Sequence, residues 1–148
     1  MMGNLLVWLT YKKQYDATTD QSAILATFST APAIRSPFWN FVTEAIGTFT
    51  LVFGVFYIAG GSIADEPISL GSLDALPVAL LVMGIGFSLG GPTGYAINPA
   101  RDLGPRILHA LLPLKNKGNS DWKYAWIPVF GPLFGAGIAA LAFMAINI

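Results

Sequence analysis

Asn98, Pro99, Ala100 and Arg101 are the residues of this chain whose types and spacing are best suited to chemistry. Asn98 is a favoured N-cap and Pro99 a favoured first helical residue, so the sequence predicts that a helix begins here. The N-terminus of a helix carries partial positive charge, which favours oxygen acceptors and disfavours cations. The amide of Asn98 and the guanidinium of Arg101 would add hydrogen-bond donors at the same end.

Residue types needed for catalysis are scarce. The chain has one His and no Cys, and no Ser stands in a nucleophile–base pairing, so we predict that it is not an enzyme. No metal site, no disulfide and no cofactor is expected. The net charge is zero and no basic run with interleaved aromatic residues suggests nucleic acid as a partner.

Composition indicates an integral membrane protein. Hydrophobic residues make up 54% of the chain, charged residues 11%, and the mean hydropathy is +0.60. Three apolar stretches predict spans at about residues 38–59, 75–89 and 124–147, and only the first contains a charge, Glu44. The second is short for a hydrocarbon core of roughly 30 Å, and the third is long enough to cross it with some tilt.

The segments that flank these spans are more polar. Residues 1–9 are apolar but too few to span, and no cleavage site follows, so we interpret them as the end of a longer helix. Residues 10–37 predict a surface loop with some local turn, which gives a division into residues 1–37 and 38–148. The connector 60–74 is rich in Gly and Ser, and Asp74 is expected to cap the second span.

Residues 90–111 can be arranged in two ways. Residues 90–94 read Gly-Gly-Pro-Thr-Gly, which should end the second span, and an amphipathic helix can run from Pro99 to about Leu111. The Gly and Pro residues alone favour a surface loop. The alternative is a re-entrant loop that enters the membrane and returns as a half-helix, which is tolerated only where the backbone is buried in protein or lines a wet cavity.

The run 94–106 resembles the second signature loop of the aquaporin (major intrinsic protein) family. Asp102 after Asn-Pro-Ala-Arg makes it similar to the glycerol-facilitator branch, the aquaglyceroporins. The three predicted spans resemble the family's fourth to sixth, and residues 4–8 resemble the end of its third. The resemblance implies an all-α integral membrane fold: half of a right-handed bundle, with three transmembrane helices, a re-entrant loop and a half-helix.

The resemblance also implies a role for each matched residue. Asn98 would donate its amide to a permeating hydroxyl, and Arg101 would provide a fixed cation and donors at the narrowest point. Tyr95 matches a filter aromatic that is more often Phe, and Gly86 stands where strict water channels carry His, which leaves room for glycerol. Backbone carbonyls of the extended run would act as acceptors, at Gly94, Tyr95, Ala96 and Ile97. Structural support would come from Pro99, Ala100, Asp102 and Glu44, whose carboxylate would accept N–H groups of the re-entrant loop.

Ordinary structural roles remain open for these residues. Gly86 can be a packing glycine and Tyr95 an interfacial tyrosine. Asn98 can serve only as a cap, and Arg101 can contact lipid headgroups. A lone His is more often structural than catalytic, so His109 receives no role.

The functional hypothesis is a passive, multi-pass cell-membrane channel for glycerol and similar small neutral solutes, with water, of which this chain forms the C-terminal half. It would lie in the lipid bilayer and need an N-terminal half and a homo-oligomer, a tetramer by resemblance. The alternatives are a truncated, inactive channel fragment and half of a secondary transporter. Transporters usually need coupling charges within the spans, whereas Glu44 is the one charge in these three.

Charge placement predicts the orientation of the chain when it is expressed alone. Positive-inside bias would put the basic side in the cytoplasm, whereas the family resemblance puts it outside, so we expect inverted or mixed insertion. A cysteine at residue 117 of this cysteine-free chain, treated with an impermeant thiol reagent, tests this, and uniformly external labelling would contradict it. Six loop cations define the basic side: Lys12, Lys13, Arg35, Lys115, Lys117 and Lys123.

Overall fold

The computed structural model describes residues 1–59, 62–63, 66–67 and 71–147, which are mostly helical. One antiparallel pair of two-residue strands, β1 (Ser62–Ile63) and β2 (Glu66–Pro67), and one 3-10 turn (Gly71–Leu73) complete the regular structure of these residues. Much of the predicted connector 60–74, including Asp65, lies outside the described residues. The helices are α1 (Met2–Thr10), α2 (Lys12–Ala17), α3 (Gln21–Ala26), α4 (Pro37–Ala59), α5 (Leu76–Thr93), α6 (Pro99–Leu111) and α7 (Ile127–Ile146).

Three of these helices are long and apolar enough to cross a membrane, which confirms the prediction of three spans. The candidate spans are Pro37–Ile58, Leu76–Thr93 and Ile127–Ile146. Helix α4 packs along both α5 and α7, so it is the central span of the three. The short helix α6 contacts α7 and α1.

The predicted end of the second span at residue 89 is wrong. Helix α5 continues through Gly90, Gly91 and Pro92 to Thr93. Pro92 lies in the last turn, where its missing N–H removes one backbone hydrogen bond. The helix ends at Gly94, which adopts a left-handed conformation (φ +77°) and donates its N–H to the carbonyl of Gly90. Such a glycine is a common C-cap, so the break in the chain comes one turn later than expected.

Three other features also differ from the sequence prediction. Helix α7 begins at Ile127 rather than 124, because turns precede it. Ala75, not Asp74, is the N-cap of α5, and it makes no side-chain capping bond. The predicted loop 10–37 contains α2 and α3, and the carboxylate of Asp20 accepts the N–H groups of Ser22 and Ala23 to cap α3.

The two short helices α2 and α3 pack over α6 through a small apolar cluster. The members of the cluster are Tyr15, Ile24, Phe28, Leu108, Leu112 and Leu114, with Trp8 packed against them.

A salt bridge between Arg35 and Asp121 (2.5 Å) ties the loop before α4 to the loop before α7. Its hydrogen bond raises the pKa of the Arg35 guanidinium, which therefore stays charged.

Close contact between α4 and α7 depends on glycine. A Cβ atom added at Gly135 would clash with the carbonyl oxygen of Ala45, and one at Gly131 would lie 2.9 Å from the Cβ atom of Glu44. Small residues allow membrane helices to approach in this way. Gly131 and Gly135 on the last span therefore face the first span.

We predict that Gly135→Ala destabilises the chain, because the backbone of α4 cannot move away without loss of packing. The expected cost is about 1–3 kcal/mol, measured as a lower midpoint of thermal unfolding in detergent. Gly137→Ala is the matched control, since a Cβ atom there meets nothing within 4 Å. Equal midpoints for the two variants would contradict the prediction.

Candidate functional site

Asn98 lies at the N-terminus of α6 and leaves donors unused. Its backbone is extended (φ −157°, ψ 122°), and its Oδ1 atom accepts the N–H of Ala100 at 2.9 Å. Pro99 follows as the first residue of the helix. The side chain is exposed, and its Nδ2 group makes no hydrogen bond to any described residue. An amide donor thus stands beside the positive end of a helix.

Arg101 folds back over the loop that precedes α6. One of its terminal nitrogens (Nη1) donates to the carbonyl of Gly94 at 3.0 Å and also to the carbonyl of Tyr95. The guanidinium carbon lies 4.2 Å from the centre of the Tyr95 ring. Two carbonyls that the sequence predicted as acceptors for solute therefore accept from Arg101, although each retains a second lone pair. The guanidinium remains exposed with further donors.

Tyr95 lies against the glycine-rich side of α5. A Cβ atom added at Gly86 would lie 3.1 Å from the Cζ atom of Tyr95, and one at Gly90 would lie 2.9 Å from its Cδ1 atom. The ring therefore runs along a groove that these two glycines form, with its hydroxyl near Gly86. The structure thus brings together Gly86, Tyr95 and Arg101, which are distant or non-adjacent in sequence.

Glu44 holds the loop from behind. Its side chain is 1% exposed, and its two oxygens accept the N–H groups of Ala96 (3.0 Å) and Ile97 (2.8 Å). Both Tyr95 (φ 41°) and Ile97 (φ 46°) adopt left-handed backbone conformations, which are costly for residues with bulky side chains. The hydrogen bonds to Glu44 offset that cost, because they give two buried donors a charged acceptor.

Asp102 and Arg106 form a second, fully buried anchor. Asp102 accepts the N–H (2.8 Å) and hydroxyl (2.7 Å) of Thr30, and Arg106 donates to it through Nε (2.7 Å) and Nη2 (2.8 Å). Arg106 also donates to the carbonyl of Ser120 at 2.7 Å. The sequence analysis missed Thr30, Arg106 and Ser120. The i, i+4 spacing of Asp102 and Arg106 was the one local signal that could have indicated the pair.

His109 lies in this anchor region rather than at the exposed face. Its Nδ1 atom is 2.8 Å from the hydroxyl oxygen of Ser120, and its ring meets Phe28 edge to face. Within the described residues, no group of three or more His, Cys, Asp or Glu side chains could hold a metal ion. The exposed chemistry of the site is thus donation from Asn98 and Arg101 beside an aromatic ring.

We predict that Glu44→Gln loosens the loop, because the amide can accept from one backbone N–H but presents its own N–H to the other. The expected loss is about 1–3 kcal/mol of local stability, read as faster amide hydrogen exchange at residues 96 and 97. Thr50→Val on the same helix is the control, since that exposed hydroxyl bonds only to its own helix at Ile46. Unchanged exchange in Glu44→Gln would contradict the proposed constraint.

Comparisons with known proteins identify the family of this chain. Residues 1–143 match the Major intrinsic protein family. Glycerol uptake facilitator protein 3 of Lactiplantibacillus plantarum is 52% identical over 143 residues, which are 97% of this chain and 57% of that protein. The D/L-lactic acid transporter of the same organism is 42% identical over 95% of this chain and 58% of its own length.

The fold has a counterpart among solved structures. The X-ray structure of the aquaglyceroporin from Plasmodium falciparum matches with a TM-score of 0.67 and 25% identity, over 90% of this chain and 52% of that one. The chain therefore spans about half the length of the relatives it matches. The family consists of membrane channels rather than enzymes, in agreement with the sequence prediction. This chain belongs to the Major intrinsic protein family, in its glycerol uptake facilitator branch, and is a multi-pass protein of the cell membrane.

Proposed function

We propose that this chain forms the C-terminal half of a passive channel for glycerol and similar small neutral solutes, with water as a second permeant. The observation that carries the proposal is the exposed row of donors, Asn98 and Arg101, beside the ring of Tyr95 on a loop that Glu44 fixes. No cofactor has a part in this activity. The solute passes and is not transformed.

This arrangement suits a molecule with a polar and an apolar side. The hydroxyls of a polyol would accept hydrogen bonds from Arg101 and Asn98, while its carbon chain would lie against the ring of Tyr95. The remaining lone pairs of the carbonyls at residues 94–97 would accept hydroxyl protons along the same wall. The fixed guanidinium and the N-terminus of α6 would repel cations. Neutral solutes would thus be favoured over charged ones.

Gly86 is the proposed determinant of width. Its missing side chain leaves room for the hydroxyl end of the Tyr95 ring to lie against α5, so the ring would take up less of the solute path. Pro99 and Ala100 would support the wall as the first turn of α6, and Asp102 as its buried anchor.

This chain provides only one wall of the proposed pore. Exposed donors that face hydrocarbon without partners cost several kcal/mol each, so Asn98 and Arg101 need a complementary surface. We infer that this surface is an N-terminal half of the same family, in a homo-oligomer within the bilayer. The alternative of a secondary transporter is less suited, because both oxygens of Glu44 are committed to the loop. An inactive fragment remains the alternative that experiment must exclude.

We predict that this chain alone gives no glycerol flux in a liposome swelling assay. Co-assembly with the N-terminal half of a glycerol facilitator should restore glycerol flux, because the second wall would complete the pore. The flux of water and of lactic acid should be measured in parallel, since one relative is named a D/L-lactic acid transporter. Strong flux from the lone chain, or none from the assembled halves, would overturn the proposal.

Substitutions at Gly86 in the assembled halves test its proposed effect on the width of the solute path. Gly86→Leu should lower glycerol flux by about tenfold or more, because the side chain would push the hydroxyl end of the Tyr95 ring into the solute path. Gly84→Leu is the matched control: a Cβ atom at Gly84 meets nothing within 4 Å, and two residues along a helix turn the side chain by about 200°. Equal flux through the two variants would remove Gly86 from the pore wall.

A further inference from the structure

We propose that Gly90 is a positioning residue for solute size: its missing side chain accommodates the ring of Tyr95 and so sets how far that ring projects into the solute path. This inference rests on the proposed channel function and deepens it. Gly86 and Gly90 stand four residues apart and so form a stripe of small residues on one face of α5, the kind of stripe that packs against another helix. The structure places an aromatic ring from the loop, not another helix, on the stripe.

The contact at Gly90 is tighter than the one at Gly86. A Cβ atom at Gly90 would lie 2.9 Å from Cδ1 and 3.3 Å from Cε1 of Tyr95, whereas one at Gly86 would lie 3.1 Å from Cζ. Carbon atoms in contact normally stand about 3.5–4.0 Å apart. A methyl group at Gly90 would therefore have to displace the ring at its base, close to the backbone.

The ring has few directions in which to move. Its own backbone is fixed, because the next two N–H groups, of Ala96 and Ile97, are bound to Glu44. The carbonyl of Tyr95 is bound to Arg101, whose guanidinium lies 4.2 Å from the ring centre. A ring pushed away from α5 must move toward the exposed side, where Arg101 and the proposed solute path lie.

A displaced ring would narrow the path for a three-carbon polyol more than for water. Gly90→Ala should therefore lower glycerol permeability and leave water permeability much less affected. The substitution does not harm the helix itself, since Ala has a higher helix propensity than Gly. Its hydrogen bond from the N–H of Gly94 uses only the backbone carbonyl of residue 90 and is retained.

The test measures glycerol and water permeability of the assembled halves in liposomes. We expect the glycerol-to-water ratio to fall by about fivefold or more in Gly90→Ala. Gly91→Ala is the matched control, because a Cβ atom at Gly91 meets nothing within 4 Å and the change in helix propensity is the same. An equal ratio in the two variants would overturn the inference, while glycerol flux through the unmodified assembly would still support the channel.

A double substitution distinguishes positioning from a general structural effect. If Gly90 acts through the ring, Gly90→Ala should change nothing further in a Tyr95→Ala background, but should retain its effect in Tyr95→Phe, which keeps the ring. A loss of the same size in the Tyr95→Ala background would overturn the inference. Absence of glycerol flux from the unmodified assembly would instead overturn the proposed function, and the size role with it.

The displacement can also be observed without transport. With fluorotyrosine incorporated into the chain, the fluorine resonance of Tyr95, assigned by its loss in Tyr95→Phe, should shift in Gly90→Ala and stay in place in Gly91→Ala. This measurement covers the case in which Gly90→Ala assembles poorly with its partner half. An unmoved resonance in Gly90→Ala would show that the ring does not depend on this glycine and would overturn the inference.

Discussion

The carboxylate of Glu44 is the constraint on which the other features of the site depend. A charge within a membrane-spanning helix is costly unless it is paired, and two buried N–H groups in a loop are costly unless they find acceptors. The hydrogen bonds from Ala96 and Ile97 give the carboxylate its partners and the two N–H groups their acceptors. Because each partner needs the other, α4 and the loop form one unit. Gly47 completes it, since a Cβ atom there would lie 2.9 Å from the side chain of Ile97.

The buried pair of Asp102 and Arg106 fixes the other end of the same loop. Arg106 reaches the carbonyls of Thr30 and Ser120, so α6 is tied to segments on both sides of it in sequence. Removing one partner of such a pair typically costs about 3–5 kcal/mol, because the other is left as an unpaired buried charge. Between these two anchors, Asn98 and Arg101 remain exposed on a backbone with little freedom. Rigid placement of donors is what recognition of a small solute requires.

Local sequence signals predicted the spans and the start of α6 but not the contacts between segments. Apolar runs of sufficient length indicate spans directly, and Asn98 with Pro99 is a local signal for a helix start. The end of α5 was misjudged because Gly90 and Pro92 weaken a helix by propensity alone, whereas here Gly94 terminates it and Tyr95 packs on it. The bond between Thr30 and Asp102 joins residues 72 positions apart. Spacing along the chain contains no information about such a pairing.

The glycines of α5 connect the geometry of the site with the second protein surface that we propose. A glycine inside a helix costs about 1 kcal/mol relative to alanine, so two of them under one aromatic ring need a compensating gain. That gain is the close approach of Tyr95, which in turn provides a surface for the guanidinium of Arg101. Each of these contacts is made with α4, α5 or the loop itself. The outer surface of Arg101 and the Nδ2 group of Asn98 are left without protein partners among the described residues. Polar groups so placed within a membrane protein are stable only against water, solute or a second protein surface. The face that we propose for a solute is therefore also the face that we propose to lie opposite a second wall.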